Sequence, residues 1–291
     1  MRWRRLRRSD NVDDRRGQTR RGARLPLRIG GKGGGLATIV IVVAVLVFGG
    51  PEMLTTLLGA GTSPPAGAPG PGAPGPGAPI DDEAGDFVAA VLGSTEDAWS
   101  EIFSAGGRRY APPRLTLFSD AVDSACGYNT AAVGPFYCPP DQRVYLDTSF
   151  FSDLARLGAP GDFAQAYVIG HEVGHHVQNL LGTSERVRGA QARASQVDAN
   201  RLQVAMELQA DCYAGVWAHH ANRHEPVLEP GDVEEGLAAA AAIGDDRLQR
   251  HAGRRVSPES FTHGSSAQRQ AWLQRGLESG SPDACDTFAQ R

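Results

Sequence analysis

The chain predicts a mainly α protein of the α+β class, with a single N-terminal transmembrane helix ahead of a mostly helical domain that carries a small β-sheet. Three observations point there. Leu36 to Phe48 (LATIVIVVAVLVF) is an unbroken apolar run of 13 residues. Helical apolar spacing with start and stop signals recurs from about residue 83 to the end. Two short β-rich runs, Leu115–Phe118 and Arg143–Asp147, read as strands within that region.

The first segment, residues 1–35, holds eleven Arg and one Lys against three Asp, a surplus of nine positive charges in a chain whose net charge is −4. A solvated tail and a nucleic-acid arm are the general readings of such a block. The apolar run directly after it favours a topological role instead. That run lies in an uncharged stretch, 33–50, with Pro51 breaking its far end. Signal-peptide core and buried helix are the competing readings of so short a run. The basic region is long for a secretory signal and no clear A-x-A cleavage site follows, so the expectation is an uncleaved anchor over residues 36–58. Arginine on one side only places residues 1–35 in the cytoplasm as a basic tail and the remainder outside the cell membrane. No nucleic-acid partner is expected.

Residues 59–82 are Pro, Gly and Ala with almost nothing to bury, a semi-extended linker. The four cysteines, Cys126, Cys138, Cys212 and Cys285, suit an oxidising compartment as two disulfides. Three connectivities are possible. Cys126–Cys138 closing a short loop and Cys212–Cys285 tying down the C-terminus is the economical one. No C-x-x-C pair invites a metal.

Residues 83–291 form the folded domain. Asp86 to Phe103 reads as one helix, or as two short ones with Ser94 capping the second. After the two strands, Asp162 is placed to cap a largely buried helix that stops at Gly182. A long helix over residues 195–220 comes next, then one over 232–242 with Asp232 and Glu235 in capping-box relation. Ser265 with Gln268 opens a last helix through Leu277.

The chemistry concentrates in His171-Glu172-Val173-Gly174-His175. Two histidines four apart project from one helical face and can converge on a single ion, leaving Glu172 to reach a metal-bound water. A catalytic zinc normally takes three protein ligands and keeps one open position. Glu207, Asp211, His176, His219, His220, His224, His251 and His263 are candidates for the third. Glu207 and Asp211 stand i and i+4 on the next long helix, embedded in apolar neighbours. That favours Glu207 as the ligand and Asp211 as the group orienting a ligand histidine through its free ring nitrogen. His176 points about 100° away from His175 and reads as packing or support. His219 and His220 read as helix-end residues favoured by the dipole.

These strings, together with DFAQAY at 162–167, HEVGHHVQN at 171–179, ELQADCYAGVWAHH at 207–220, AIGDDRLQ at 242–249 and SFTHGSSAQR at 260–269, resemble the bacterial membrane-anchored neutral zinc metallopeptidases. CGYN and GPFYCP around Cys126 and Cys138 match as well. The resemblance implies a zincin-like domain with Zn2+ on His171, His175 and Glu207. A broader similarity, to gluzincins of the HtpX and CAAX-processing type, brings a T-H-P segment with a downstream Arg to the active site. Thr262-His263-Gly264 with Arg269 is similar to it, with Gly in place of Pro. That implies a catalytic role for His263 in stabilising an oxyanion, a role for which Tyr137 is the other candidate.

The function expected is a membrane-anchored zinc endopeptidase acting on peptide or protein substrates, with Glu172 as general base. The strand over 143–147 is expected to be an edge that pairs with extended substrate. The alternative is a non-enzymatic envelope scaffold whose zinc site is structural or vestigial. An intact Glu172 speaks against it, because a structural ion needs no base.

Overall fold

In the computed structural model, the described residues are 1–17 and 80–289. The anchor expected over 36–58 lies outside them, as do residues 18–35 of the basic segment and all of the linker except 80–82. No helix among the described residues is long and apolar enough to cross a membrane.

Six strands are formed among the described residues: β1 (Val12–Asp14), β2 (Arg114–Phe118), β3 (Ala121–Ser124), β4 (Gly127–Thr130), β5 (Phe136–Cys138) and β6 (Arg143–Asp147). Four make one sheet in the order β1-β2-β6-β5, while β3 and β4 pair as a separate hairpin. β1, β2 and β6 run parallel and β5 is antiparallel to β6. The two strands read from sequence, β2 and β6, are thus the interior pair. Their apolar residues Leu115, Leu117, Val144 and Leu146 enter the main core.

Eight α-helices accompany them: α1 (Glu83–Ala105), α2 (Phe150–Arg156), α3 (Asp162–Leu180), α4 (Thr183–Gln191), α5 (Gln196–His224), α6 (Asp232–Ala242), α7 (Asp245–His251) and α8 (Ser266–Ser279). Helix α3 is central, with α1, α5 and α6 packed on it. Ser195 caps α5 by accepting from the Asp198 amide, and Ser265 with Gln268 forms the expected capping box on α8. The disulfides pair Cys126 with Cys138 and Cys212 with Cys285. The second joins the middle of α5 to the C-terminal segment.

Of the two readings of residues 86–103 the single helix holds: α1 is continuous, and the Ser94 hydroxyl accepts from Trp217 Nε1 at 3.1 Å instead of capping a helix start. Two local expectations change. Asp162 is the first residue of α3, not its cap, and Gly161 holds the cap position. The Asp232/Glu235 box does not form either. Glu235 accepts from the Phe163 amide at 3.2 Å and so satisfies the start of α3, a helix remote in sequence.

The larger correction concerns the N-terminus. Residues 1–17 are not a tail separate from the domain; they complete it. β1 adds a strand to the sheet, with Val12 opposite Leu115. Trp3, only 6% exposed, packs edge-on against Phe87 at 5.4 Å between ring centroids. The Met1 amino group donates to Asp162 at 2.6 Å and Asp232 at 3.2 Å. The arginines meet domain acids: Arg7 pairs with Glu96 and Asp97, Arg8 forms a two-pronged pair with Asp86, and Arg16 reaches Asp82. Exposed pairs of this kind contribute little each, so the buried tryptophan and the strand pairing carry most of the attachment. The pairing of β1 with β2 makes residues 1–17 part of the same folded unit as the described residues from 80 onward.

Trp3→Ala should therefore destabilise the whole domain by about 3 kcal/mol, the usual cost of emptying a buried indole site. Urea unfolding followed by circular dichroism checks it; a change of a few tenths would mean the segment is only loosely attached.

Candidate metal centre

The approach of α3 to α5 is what builds the site. At Gly174, a Cβ would stand 2.8 Å from the Ala210 carbonyl oxygen, so only glycine allows the two helix backbones to lie this close. Ala210 sits between Glu207 and Asp211, and the approach brings both acids against the histidine face of α3.

His171, His175 and Glu207 each offer a ligand atom within 4.8 Å of the other two. His171 Nε2 lies 3.2 Å from one Glu207 oxygen and His175 Nε2 lies 3.6 Å from the other. Both imidazoles are held from behind. His171 Nδ1 is 2.7 Å from Asp211, and His175 Nδ1 is 2.9 Å from the Gln178 side-chain oxygen. An acceptor on each Nδ1 keeps that nitrogen protonated and leaves Nε2 facing the shared space. Gln178 is itself fixed by donating to the Met206 carbonyl, and Gln203 donates to Glu207 at 3.0 Å. Two imidazole nitrogens and one carboxylate with buried supporting partners fit a zinc ion with room for a further ligand.

Asp211 is fully buried and accepts four hydrogen bonds, from His171, from Tyr167 at 2.5 Å, and twice from Arg269 at 2.8 Å. Burial opposes its charge, but Arg269 and His171 outweigh burial and hold its pKa below the usual carboxylate value. Burial likewise disfavours the His171 cation, yet Asp211 and Glu207 raise its pKa to about 9. Glu207 is held well below the ordinary range by the two histidines against the same burial cost. In the metal-free protein a proton on His171 therefore occupies the position a metal would take, and binding must displace it.

Glu172 is buried next to the triad at 7% exposure, and burial raises its pKa even though both histidines pull the other way. His263 follows α7 in a loop gathered by Asp245. One oxygen of Asp245 accepts from the amides of Thr262, His263 and Gly264, at 2.6 to 3.0 Å. The other lies 3.2 Å from His263 Nδ1. His263 is near enough to Glu207 for each to shift the other's titration. Gly264 has φ +89°, a conformation closed to the proline that the resembled segment carries there.

The remaining sequence candidates go elsewhere. His176 lies 3.0 Å from the Tyr137 hydroxyl and donates to the Ala111 carbonyl at 2.6 Å, so it is a packing residue between helix and sheet. Tyr137 also accepts from Asn179, which leaves its hydroxyl committed to this inward network. The 143–147 strand, β6, is interior and not an edge; the edge on that side is β5. His219 and His220 face the C-terminal segment through the carbonyls of Leu277 and Gly280. Gln178 and Asp245 are not among the residues the sequence singles out. Gln178 stands three residues after His175 on an apolar helix face, a signal that could have found it. Asp245 offers no comparable local pattern.

A buried two-histidine, one-glutamate donor set on paired helices, with a glutamate beside it, defines a zinc-peptidase type of centre. The family model described as "Putative neutral zinc metallopeptidase" matches residues 1–288, and the chain belongs to that family. It is 46% identical over 299 residues to "Uncharacterized protein YpfJ" of Escherichia coli (strain K12), covering 100% of this chain and 99% of the relative. It is 45% identical over 214 residues to "Uncharacterized protein Rv2575" of Mycobacterium tuberculosis (strain H37Rv), covering 69% of this chain and 70% of the relative. No solved structure matches.

Burial lowers the His176 pKa to about 4. The unfolded chain takes up this proton first, so the stability His176 contributes is complete above the ordinary imidazole value and is lost as pH falls through about 4. In chelator-treated protein, urea stability should drop by about 2 kcal/mol between about pH 7 and about pH 5 from this group. His176→Gln should remove that part of the slope, and an unchanged slope would count against it.

Proposed function

We propose that the protein is a zinc-dependent endopeptidase, with the ion held by His171, His175 and Glu207. The observation that carries this reading is the position of Glu172, a buried glutamate with a raised pKa directly beside the three-ligand set. A structural ion needs no such base, which disfavours a scaffold with a vestigial site. Zinc at this position would act as a Lewis acid on the peptide carbonyl and lower the pKa of a bound water. Glu172 takes the proton of the attacking water and returns one to the leaving amine, a role suited to a carboxylate whose pKa is moved toward neutrality. Asp211 and Gln178 fix the imidazoles, so the site need not reorganise during reaction. His263, positioned by Asp245 and raised in pKa by Asp245 and Glu207 against the effect of burial, serves as donor to the developing oxyanion. Extended peptide substrate docks along the edge of β5, the strand at the end of the sheet next to α3.

Glu172→Gln should leave bound zinc at the wild-type level and lower kcat on a denatured-protein substrate by about 10²- to 10⁴-fold. Metal analysis and proteolysis assays on the same preparation decide it, and undiminished hydrolysis would overturn the mechanism.

We also place the folded unit in an oxidising, extracytoplasmic compartment, with residues 1–17 in that compartment too. The two disulfides support an oxidising compartment, and the pairing of β1 with β2 requires both segments to share it. Asp10→Cys puts a thiol at an exposed position of the N-terminal segment. It should react with a membrane-impermeant maleimide in intact cells whose outer barrier has been opened. Labelling only after lysis of the cytoplasmic membrane would refute the extracytoplasmic placement.

A further inference from the structure

Among the described residues, three groups of His and acid side chains place ligand atoms within 4.8 Å of one another. One is the centre above. The second, Asp162, Asp232 and Glu235, is all carboxylate and its Asp162 and Asp232 already bind the Met1 amino group. The third is Glu101, His220 and His224. It lies 13 residues beyond Glu207 along α5, about 20 Å away at the helical rise, so it shares no group with the first.

His220 and His224 are i and i+4 on the last two turns of α5 and therefore share a face. Glu101 comes from the last two turns of α1, which packs on α5. His220 is only 9% exposed, and its Nε2 lies 2.9 Å from the Gly280 carbonyl oxygen. A carbonyl can only accept, so the proton sits on Nε2 and Nδ1 carries a free lone pair. That Nδ1 is buried and has no hydrogen-bond partner. Buried acceptors without partners are uncommon and costly, and a bound ion is one of the explanations for such a group.

The surrounding charges are divided in a way that leaves this face open to a cation. Arg223 donates to Glu101 Oε1 at 2.7 Å, whereas Glu101 Oε2 is in close contact with His224 Nε2. An ordinary ion-pair cluster accounts for Arg223, His224 and Glu101, but it leaves the orphaned nitrogen of His220 unexplained. The C-terminal end of α5 adds the negative pole of the helix dipole at the same spot.

We propose that Glu101, His220 and His224 form a second metal site, bound by a divalent transition ion such as Zn2+, Ni2+ or Cu2+. Two imidazoles and a carboxylate suit these ions and not Mg2+ or Ca2+, which prefer all-oxygen shells. The ion takes His220 Nδ1, His224 Nε2 and Glu101 Oε2, while Arg223 keeps Oε1. It clamps the end of α5, the helix that carries Glu207, to α1.

The test is zinc stoichiometry of the full-length chain by equilibrium dialysis near neutral pH with metal analysis. Wild type should bind two ions per chain. His224→Gln, at a half-exposed position that does not threaten folding, should bind one. Glu101→Gln should weaken the second ion about tenfold or more. His171→Asn combined with His175→Asn should keep one ion, which separates this site from the catalytic reading. With Cu2+ added, that double variant should give an electron paramagnetic resonance spectrum with two-nitrogen hyperfine structure, lost when His224→Gln is added. One ion in wild type that is retained by His224→Gln, or none in the double variant, would overturn the second site.

Discussion

The contact between Asp211 and Arg269 is the constraint on which the rest of the centre depends. Both groups are almost completely excluded from water, and they come from α5 and α8, with Tyr167 and His171 of α3 joined to the same carboxylate. A carboxylate in that position is tolerable only because both its oxygens are hydrogen-bonded and its charge is matched; either partner alone would leave a buried charge at a cost of several kcal/mol. Three helices are thereby held in one register by a single acid. The same acid fixes which nitrogen of His171 faces Glu207, so the arrangement that organises the helices also sets the protonation pattern of the metal site.

Much of the site is legible in the sequence because it is written in helical spacing. His171 and His175 are i and i+4 on one helix, with Glu172 one step round from His171, and Glu207 and Asp211 are i and i+4 on another, so helical spacing is enough to put each pair on a face. The meeting of the two faces is less local. It depends on Gly174 admitting the backbone of α5, and a glycine within a helical pattern does not announce what it makes room for. Arg269 is visible through its place after the Thr262-His263-Gly264 segment, but its function as counter-charge to Asp211 requires 58 residues of chain to fold back. Asp245 is hidden for the same reason: its three amide partners lie 17 to 19 residues downstream and carry no side-chain pattern.

The fold is readable in its five longest helices and in β2 and β6, where periodicity and branched or aromatic residues agree, whereas the short helices α2, α4 and α7 are not. It misleads where side chains find distant partners. Ser94 and Asp232 look like helix starts locally, yet Trp217 takes the first, while the Glu229 amide and the Met1 amino group take the second. The basic N-terminal block is the clearest instance. Eleven arginines ahead of an apolar run carry a strong topological signal, and sequence alone does not show that acids such as Asp86, Glu96 and Asp97 wait for them on α1.

That arm also bears on how the molecule comes into being. β1 leaves the ribosome well ahead of its partner: Val12 has nothing to pair with until Leu115 has been made, 103 positions later. Parallel pairing over such a separation forms slowly, because the intervening chain must be closed before any contact rewards it. For that interval the aromatic Trp3 and the unpaired backbone of β1 are exposed, as is the groove on α1 and β2 that will receive them. The nascent domain is thus a sheet lacking its outer strand, open to capture by chaperones or by the arm of a neighbouring chain, and exchange of that arm would be its natural route to misassembly.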